Sequence, residues 1–192
     1  VYEQMLRMLY NRGLTGSEPL STGGLAETFG VSRTPVNMAL VRLESQGLIQ
    51  RTSSKGWVTV PLTLGDLEEI FDLKDVLEPL TARMAAENVT PEAAAELRGI
   101  MDEMEAASQS GDVAMWLAAD HRYHDLLSDL ARNERLRQFQ DQLNNQLYRL
   151  WVGYSAMEGR MAGSCVEHRA VGDAVAAGDS ARAALAAVEH TR

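Results

Sequence analysis

Asp120, His124, His168 and His190 are the residues of this sequence whose types and spacing suit a divalent cation. Asp120 and His124 stand four apart, so a helix presents both on one face, aimed at one point. His168 and His190 flank the turn signal Gly178-Asp179, ten residues before Gly178 and twelve after it. On two antiparallel helices they would stand about 15 and 18 Å from the turn, nearly level. One carboxylate and three imidazoles include no thiolate to close a structural zinc site. This N/O set suits Zn²⁺ first, then Ni²⁺, Co²⁺ or Mn²⁺, with one or two positions open for water or an anion. Three of the chain's four histidines fit the arrangement, and His121 points elsewhere, toward the surface or behind the ligands. Spacing by itself leaves equally open that these are unrelated helix residues.

The elements that must position them are helices. Thr63 caps a long segment running to about Glu87, with Pro79 expected to kink it. Thr90-Pro91-Glu92 opens a second helix and Asp112 a third; a fourth spans residues 133–157, and two more lie either side of Gly178-Asp179. The Ala-rich, 3.6-period pattern over residues 62–192 therefore predicts an all-α, six-helix bundle. Arg83, Arg149 and Arg160 are its candidate cations for an effector pocket. Trp116, Tyr148, Trp151 and Tyr154 read as core or interface rather than a ligand cage.

Residues 1–61 read differently. Tyr2, Met5, Leu6 and Leu9 recur at helical spacing before Gly13, a short helix covers residues 25–29, and Gly30-Val31 turns the chain. Ser32 is placed to cap a third helix with Pro35 in its first turn, and Val36, Ala39, Leu40 and Leu43 form its apolar stripe. Two short helices joined by a tight turn make a helix–turn–helix. The opposite face carries Thr34, Asn37, Met38 and Val41, flanked by Arg33. Arg33 can pair with guanine or hold a phosphate, Asn37 can pair with adenine, and the amides near Ser32 can receive a phosphate. On an isolated helix these would be plain solvated residues. The segment that follows changes that reading: residues 48–52 and 57–60 are β-prone runs around Ser53-Ser54-Lys55-Gly56, a hairpin whose tip offers the charge of Lys55 and the close approach of Gly56. The prediction is mainly α: a winged helix–turn–helix over 1–61 and the helical bundle over 62–192.

Charge agrees with this division. The net charge is −9, yet residues 1–61 hold six basic and four acidic side chains against twelve and 23 in the remainder. A positive head on a negative body gives phosphate attraction where it is needed, since it acts over about a Debye length. No stretch approaches the roughly 18–20 apolar residues of a bilayer span, and no basic-then-apolar leader is seen. Cys165 is the one cysteine, which excludes a disulfide within this sequence and fits a reducing interior. The expected location is the cytoplasm, with no membrane partner.

At this point two stretches carry a resemblance. Residues 25–36, Leu-Ala-Glu-Thr-Phe-Gly-Val-Ser-Arg-Thr-Pro-Val, with 39–48, Ala-Leu-Val-Arg-Leu-Glu-Ser-Gln-Gly-Leu, resemble the DNA-binding domain of GntR-family regulators. The resemblance implies DNA contact by the residues matching Arg33, Thr34 and Gly56, and Ser32, Asn37, Arg42 and Lys55 complete the candidate set. Two departures stand out: Asn37-Met38 where the family usually has Arg-Glu, and Thr22-Gly23 where it usually has a charged residue. Asp120-His121-Arg122-Tyr123-His124 with Asn133, then Glu167-His168, Gly178-Asp179 and His190, resemble the FCD ligand domain of the FadR branch, in its shorter, VanR-like subgroup. That resemblance implies a metal on Asp120, His124, His168 and His190, a small carboxylate effector, and a homodimer on a palindromic operator in double-stranded DNA. Lys74 stands where Arg is usual and is expected to serve surface or interface chemistry.

The function expected is a ligand-responsive, DNA-binding transcription regulator and not an enzyme. One alternative is a regulator for which the ion itself is the signal. Another is a metal-dependent hydrolase, which lacks a separate nucleophile or general base beyond the ligands and leaves the winged helix without a role.

Overall fold

The computed structural model describes residues 1–11, 19–53, 56–154 and 159–191. They divide into two compact units, Val1–Leu67 with Asn144–Gly153, and Glu68–Leu143 with Tyr154–Arg192.

The first unit holds α1 (Tyr2–Asn11), β1 (Pro19–Leu20), α2 (Thr22–Phe29), α3 (Arg33–Ser45), β2 (Ile49–Thr52) and β3 (Gly56–Thr59). Its core is built from the apolar stripes of the three helices: Met5, Leu6 and Leu9 of α1, Leu25 and Ala26 of α2, and Val36, Ala39, Leu40 and Leu43 of α3, closed by Leu48, Ile49 and Trp57. Gly30, in the left-handed region at φ 64°, makes the sharp turn between α2 and α3. β2 and β3 pair as the expected antiparallel hairpin, with Arg51 opposite Trp57 and Thr52 opposite Gly56.

Two features depart from expectation. α2 begins at Thr22, three residues early, because the Ser21 hydroxyl accepts the Gly24 amide and offsets the poor helix propensity of Gly23 and Gly24. Residues 19–20 add a third strand, giving the order β1-β3-β2 with Leu20 opposite Trp57. A two-residue strand shows no periodicity, and Pro19 is tolerated because β1 is an edge.

The second unit is built from α4 (Leu64–Asn88), α5 (Pro91–Ser110), α6 (Val113–Leu130), α7 (Glu134–Tyr154), α8 (Arg160–Ala176) and α9 (Ser180–His190). α5 packs against α6 and α8, and α8 against α9. Leu97, Ile100, Met101 and Met104 of α5 are buried, as are Trp116, Ala119, Tyr123 and Leu127 of α6 and Val171, Ala174 and Val175 of α8. Thr90, Asp112 and Asp179 each accept the backbone amide three residues on, starting α5, α6 and α9. α4 continues through Pro79, and the carbonyl that proline leaves without a helical donor belongs to the exposed Asp75. α7 serves both units: Gln140 donates to the Thr81 hydroxyl in the second, and Gln146 to the Gln46 carbonyl in the first. No helix among the described residues is long and apolar enough to cross a membrane.

Candidate metal centre and nucleic-acid interface

Asp120 and His124 stand one turn apart on α6, His168 lies midway along α8, and His190 ends α9. The tight turn at Gly178, φ 70°, and the small buried residues Ala183 and Ala187 fold α9 back along α8, which brings the His168 and His190 ring centres to 4.3 Å. His124, His168 and His190 each offer a ring nitrogen within 4.8 Å of the others. The Nε2 atoms of His124 and His168 are 3.3 Å apart, and Asp120 Oδ1 lies 3.0 Å from His168 Nε2 and 3.7 Å from His124 Nε2. Ligands of one tetrahedral Zn²⁺ at about 2.0–2.2 Å stand about 3.3–3.6 Å apart, a spacing that the 3.3 Å between His124 and His168 meets and the Asp120 distances of 3.0 and 3.7 Å bracket.

The surroundings of His168 decide what its Nε2 can do. Its Nδ1 is 2.7 Å from the Ser164 carbonyl, which can only accept, and 3.1 Å from the Ser164 hydroxyl. Nδ1 therefore carries a proton, and Nε2 faces the Asp120 carboxylate and the His124 imidazole, offering a lone pair when the ring is neutral and an N–H when it is protonated. Two lone-pair carriers at 3.0 Å repel unless a proton or a cation stands between them. Accordingly, although burial pushes the His168 pKa down, the hydrogen bond and charge of Asp120 push it further, and it ends raised. Burial pushes the Asp120 carboxyl up, but the hydrogen bond from His168 and the charges of the histidines bring it down to about 2. Burial holds His124 down at about 3 despite the carboxylates of Asp120 and Glu78, so it stays a neutral ligand at neutral pH.

A second ring of residues orients the first. The buried Tyr123 hydroxyl donates to the His168 carbonyl at 2.8 Å, and its ring meets the imidazole edge-on. Glu167 Oε2 lies 3.5 Å from His190 Nδ1, and Arg160 holds the other Glu167 oxygen at 3.4 Å. Gly172 allows α8 this close an approach: a Cβ there would fall 2.4 Å from Met101 Sδ and 3.3 Å from Tyr123 Cε2.

Sequence reading missed Glu78 and misjudged Lys74. Expected at a surface or interface, Lys74 is instead buried and ion-paired to Glu78, the two side chains 7% and 8% exposed. The reason is register: Ile70, Lys74, Glu78, Thr81 and Ala85 share the inward face of α4. Glu78 Oε2 lies 3.9 Å from His190 Nε2. Burial raises the Glu78 carboxyl, and Lys74 followed by His190 outweighs it, bringing it to about 2. The signal was legible as a Lys and a Glu four apart on an otherwise apolar stripe.

Among the other predicted residues, Arg160 reaches His190 through Glu167, whereas Arg83 is half exposed and paired with Glu87 at 2.6 Å. The side chain of Arg149 lies outside the described residues, as do those of Tyr148, Trp151 and Tyr154. Trp116 is buried and donates to Cys165 Sγ, and His121 is exposed beside Asp125.

In the first unit, α3 turns Val36, Ala39, Leu40 and Leu43 inward, so Ser32, Arg33, Thr34, Asn37 and Arg42 are exposed. Ser32 stands at the N-cap in extended conformation without a side-chain bond to the helix. The Arg42 guanidinium lies over the Tyr2 ring at 3.9 Å, while the Thr22 hydroxyl donates to Asn37 Oδ1 at 3.2 Å. Arg33 Nη2 would sit 3.7 Å from a Cβ at Gly23, so the glycine leaves its guanidinium room. Gly56, at φ 71°, is exposed at the start of β3, and Lys55 lies outside the described residues.

The first unit is thus a winged helix–turn–helix and the second an α-helical bundle, the two parts of a DNA-binding regulator. Residues 1–58 match the gntR family of bacterial regulatory proteins and residues 69–192 match the FCD domain, so the chain belongs to the FCD-containing GntR family. It is 27% identical over 148 residues to the HTH-type transcriptional regulator YdhC of Bacillus subtilis, covering 77% of this chain and 66% of YdhC. It is 28% identical to LutR of the same organism over 207 residues, covering 95% and 92% of the two chains. The solved structure of Escherichia coli McbR/YncC has the same fold, with a TM-score of 0.86 at 23% identity over 99% of this chain and 92% of that one.

Proposed function

We propose that this chain is a ligand-responsive transcription regulator of the cytoplasm that binds a palindromic operator as a homodimer. Its helical unit would hold one divalent ion, Zn²⁺ first among the candidates, on Asp120, His124, His168 and His190. The ion would leave a coordination position for a small carboxylate effector, and Arg160 and Lys74 are the cations tied to the cluster, through Glu167 and Glu78. The observation carrying the metal reading is the convergence of His168 Nε2 with Asp120 Oδ1 at 3.0 Å and His124 Nε2 at 3.3 Å. The ion would supply the positive charge that this meeting of donors lacks. The observation carrying the DNA reading is the exposed face of α3, with Arg33 at its N-terminal end, on a locally cationic unit.

Regulation requires an effector that binds two arrangements of the dimer unequally, since equal binding shifts nothing. The test is operator affinity of purified protein, measured after chelation, with metal restored, and with metal plus a panel of carboxylates. A change only when a carboxylate joins the metal supports this reading. A change on metal removal alone makes the ion the signal. Arg33→Ala should weaken operator binding by about 1–3 kcal/mol while the helical unit stays folded; wild-type affinity would remove Arg33 from the interface.

A further inference from the structure

The outward face of α3 is not uniformly polar. Met38 is 70% exposed and Val41 57%, and they lie among Arg33, Thr34, Asn37 and Arg42, all exposed. Arg33, Asn37 and Val41 follow one another at four-residue steps, and Thr34, Met38 and Arg42 form the adjacent row, so each apolar side chain stands among the polar ones. Two bare apolar side chains on an exposed helix face raise the question of what covers them. They do not continue the core, which α3 reaches through Val36, Ala39, Leu40 and Leu43.

We infer that Met38 and Val41 make apolar contact with thymine methyl groups, so that the middle of α3 reads A·T pairs in the major groove. The chemistry of the face points to one occupant. In the major groove the thymine C5 methyl is the apolar feature of a base edge, and apolar side chains are what recognise it. Asn37, beside Met38 and one turn before Val41, has the amide pattern that pairs with adenine N6 and N7. The Thr22 hydroxyl donates to Asn37 Oδ1 at 3.2 Å, a contact that leaves the second Oδ1 lone pair and the Nδ2 donors for a base edge. Arg33, at the N-terminal end of the same face, supplies a phosphate or guanine contact, and the unit's positive charge favours a polyanion. A protein partner for this patch would need no adenine-patterned amide beside it. The inference rests on the DNA-binding reading and adds which bases lie under the helix.

The test uses the full chain and two experiments. Selection from a random duplex library should enrich half-sites with A·T pairs at their centre. In the enriched duplex, each thymine is then replaced singly by deoxyuracil, which removes the methyl and leaves every hydrogen-bonding group. At one or two central positions this should weaken wild-type binding about three- to fivefold, the worth of burying one methyl. The same replacement should leave Met38→Ala or Val41→Ala, both exposed and without fold consequences, unmoved at its own position. Enriched half-sites with G·C at the centre, or deoxyuracil tolerated at every position by the wild type, would overturn the inference while leaving the regulator reading intact. Absence of salt-dependent binding to any duplex would overturn both.

Discussion

His168 shows how much of the candidate centre is decided by a single side chain. Its Nδ1 bond to the Ser164 carbonyl sets the tautomer, the Tyr123 hydroxyl holds its own carbonyl, and its Nε2 faces Asp120 and His124. His168→Ala should therefore abolish stoichiometric metal retention at neutral pH, checked by elemental analysis after gel filtration; full occupancy in the variant would show the ligand set to be wrong. Tyr123→Phe removes a buried hydrogen bond without touching a ligand and should lower stability by about 1 kcal/mol in urea unfolding. Lys74 is a sharper case. Lys74→Met strands Glu78 as a buried carboxylate deprived of its cation, and such a change costs about 3–5 kcal/mol. Adding Glu78→Leu should restore most of the loss, because two apolar side chains of similar volume suit a buried face. A double variant as unstable as the single one would show that the pair's charge is not what the site requires.

At the scale of elements, the bundle works because α8 approaches α5 and α6 closely enough for one imidazole to reach residues of α6. Gly172 makes that approach possible. Gly172→Ala gains about 1 kcal/mol of helix propensity but drives a methyl into Met101 and Tyr123, an overpacking that costs about 1–3 kcal/mol, so a net loss of up to about 2 kcal/mol is expected by thermal unfolding. Metal affinity should fall as well, since Tyr123 bears on His168. Most elements were legible in the sequence: Thr90, Asp112 and Asp179 as helix caps, the stripe of α3, and the turn at Gly178. β1 and the first turn of α2 were not. A two-residue strand has no pattern to recognise, and its pairing with Trp57 and Val58 is made by residues far along the chain.

For the whole molecule, the candidate metal centre lies entirely in the second of the two units. An ion bound at about one hundred times its dissociation constant adds about 2.7 kcal/mol to the stability of the folded state. Chelation should lower the melting temperature of the full chain, and restoring Zn²⁺ should recover it. An unchanged melting temperature, with metal shown present before chelation, would mean the cluster does not stabilise the fold through an ion. α7 is the element shared by the two units, and its Gln140 and Gln146 each bond within a different one.

The order of residues alone determined the helix–turn–helix, the hairpin, the helical bundle and the face on which Asp120 and His124 stand. These rest on local periodicity, caps and turns, which act over a few residues. The tertiary structure decided which nitrogen of His168 faces Asp120 and His124, that Glu78 lies beside His190, and that Lys74 is buried rather than at a surface. Each of those depends on groups brought together from different helices, or on which face of a helix the rest of the bundle covers, and neither is written in the spacing of one segment.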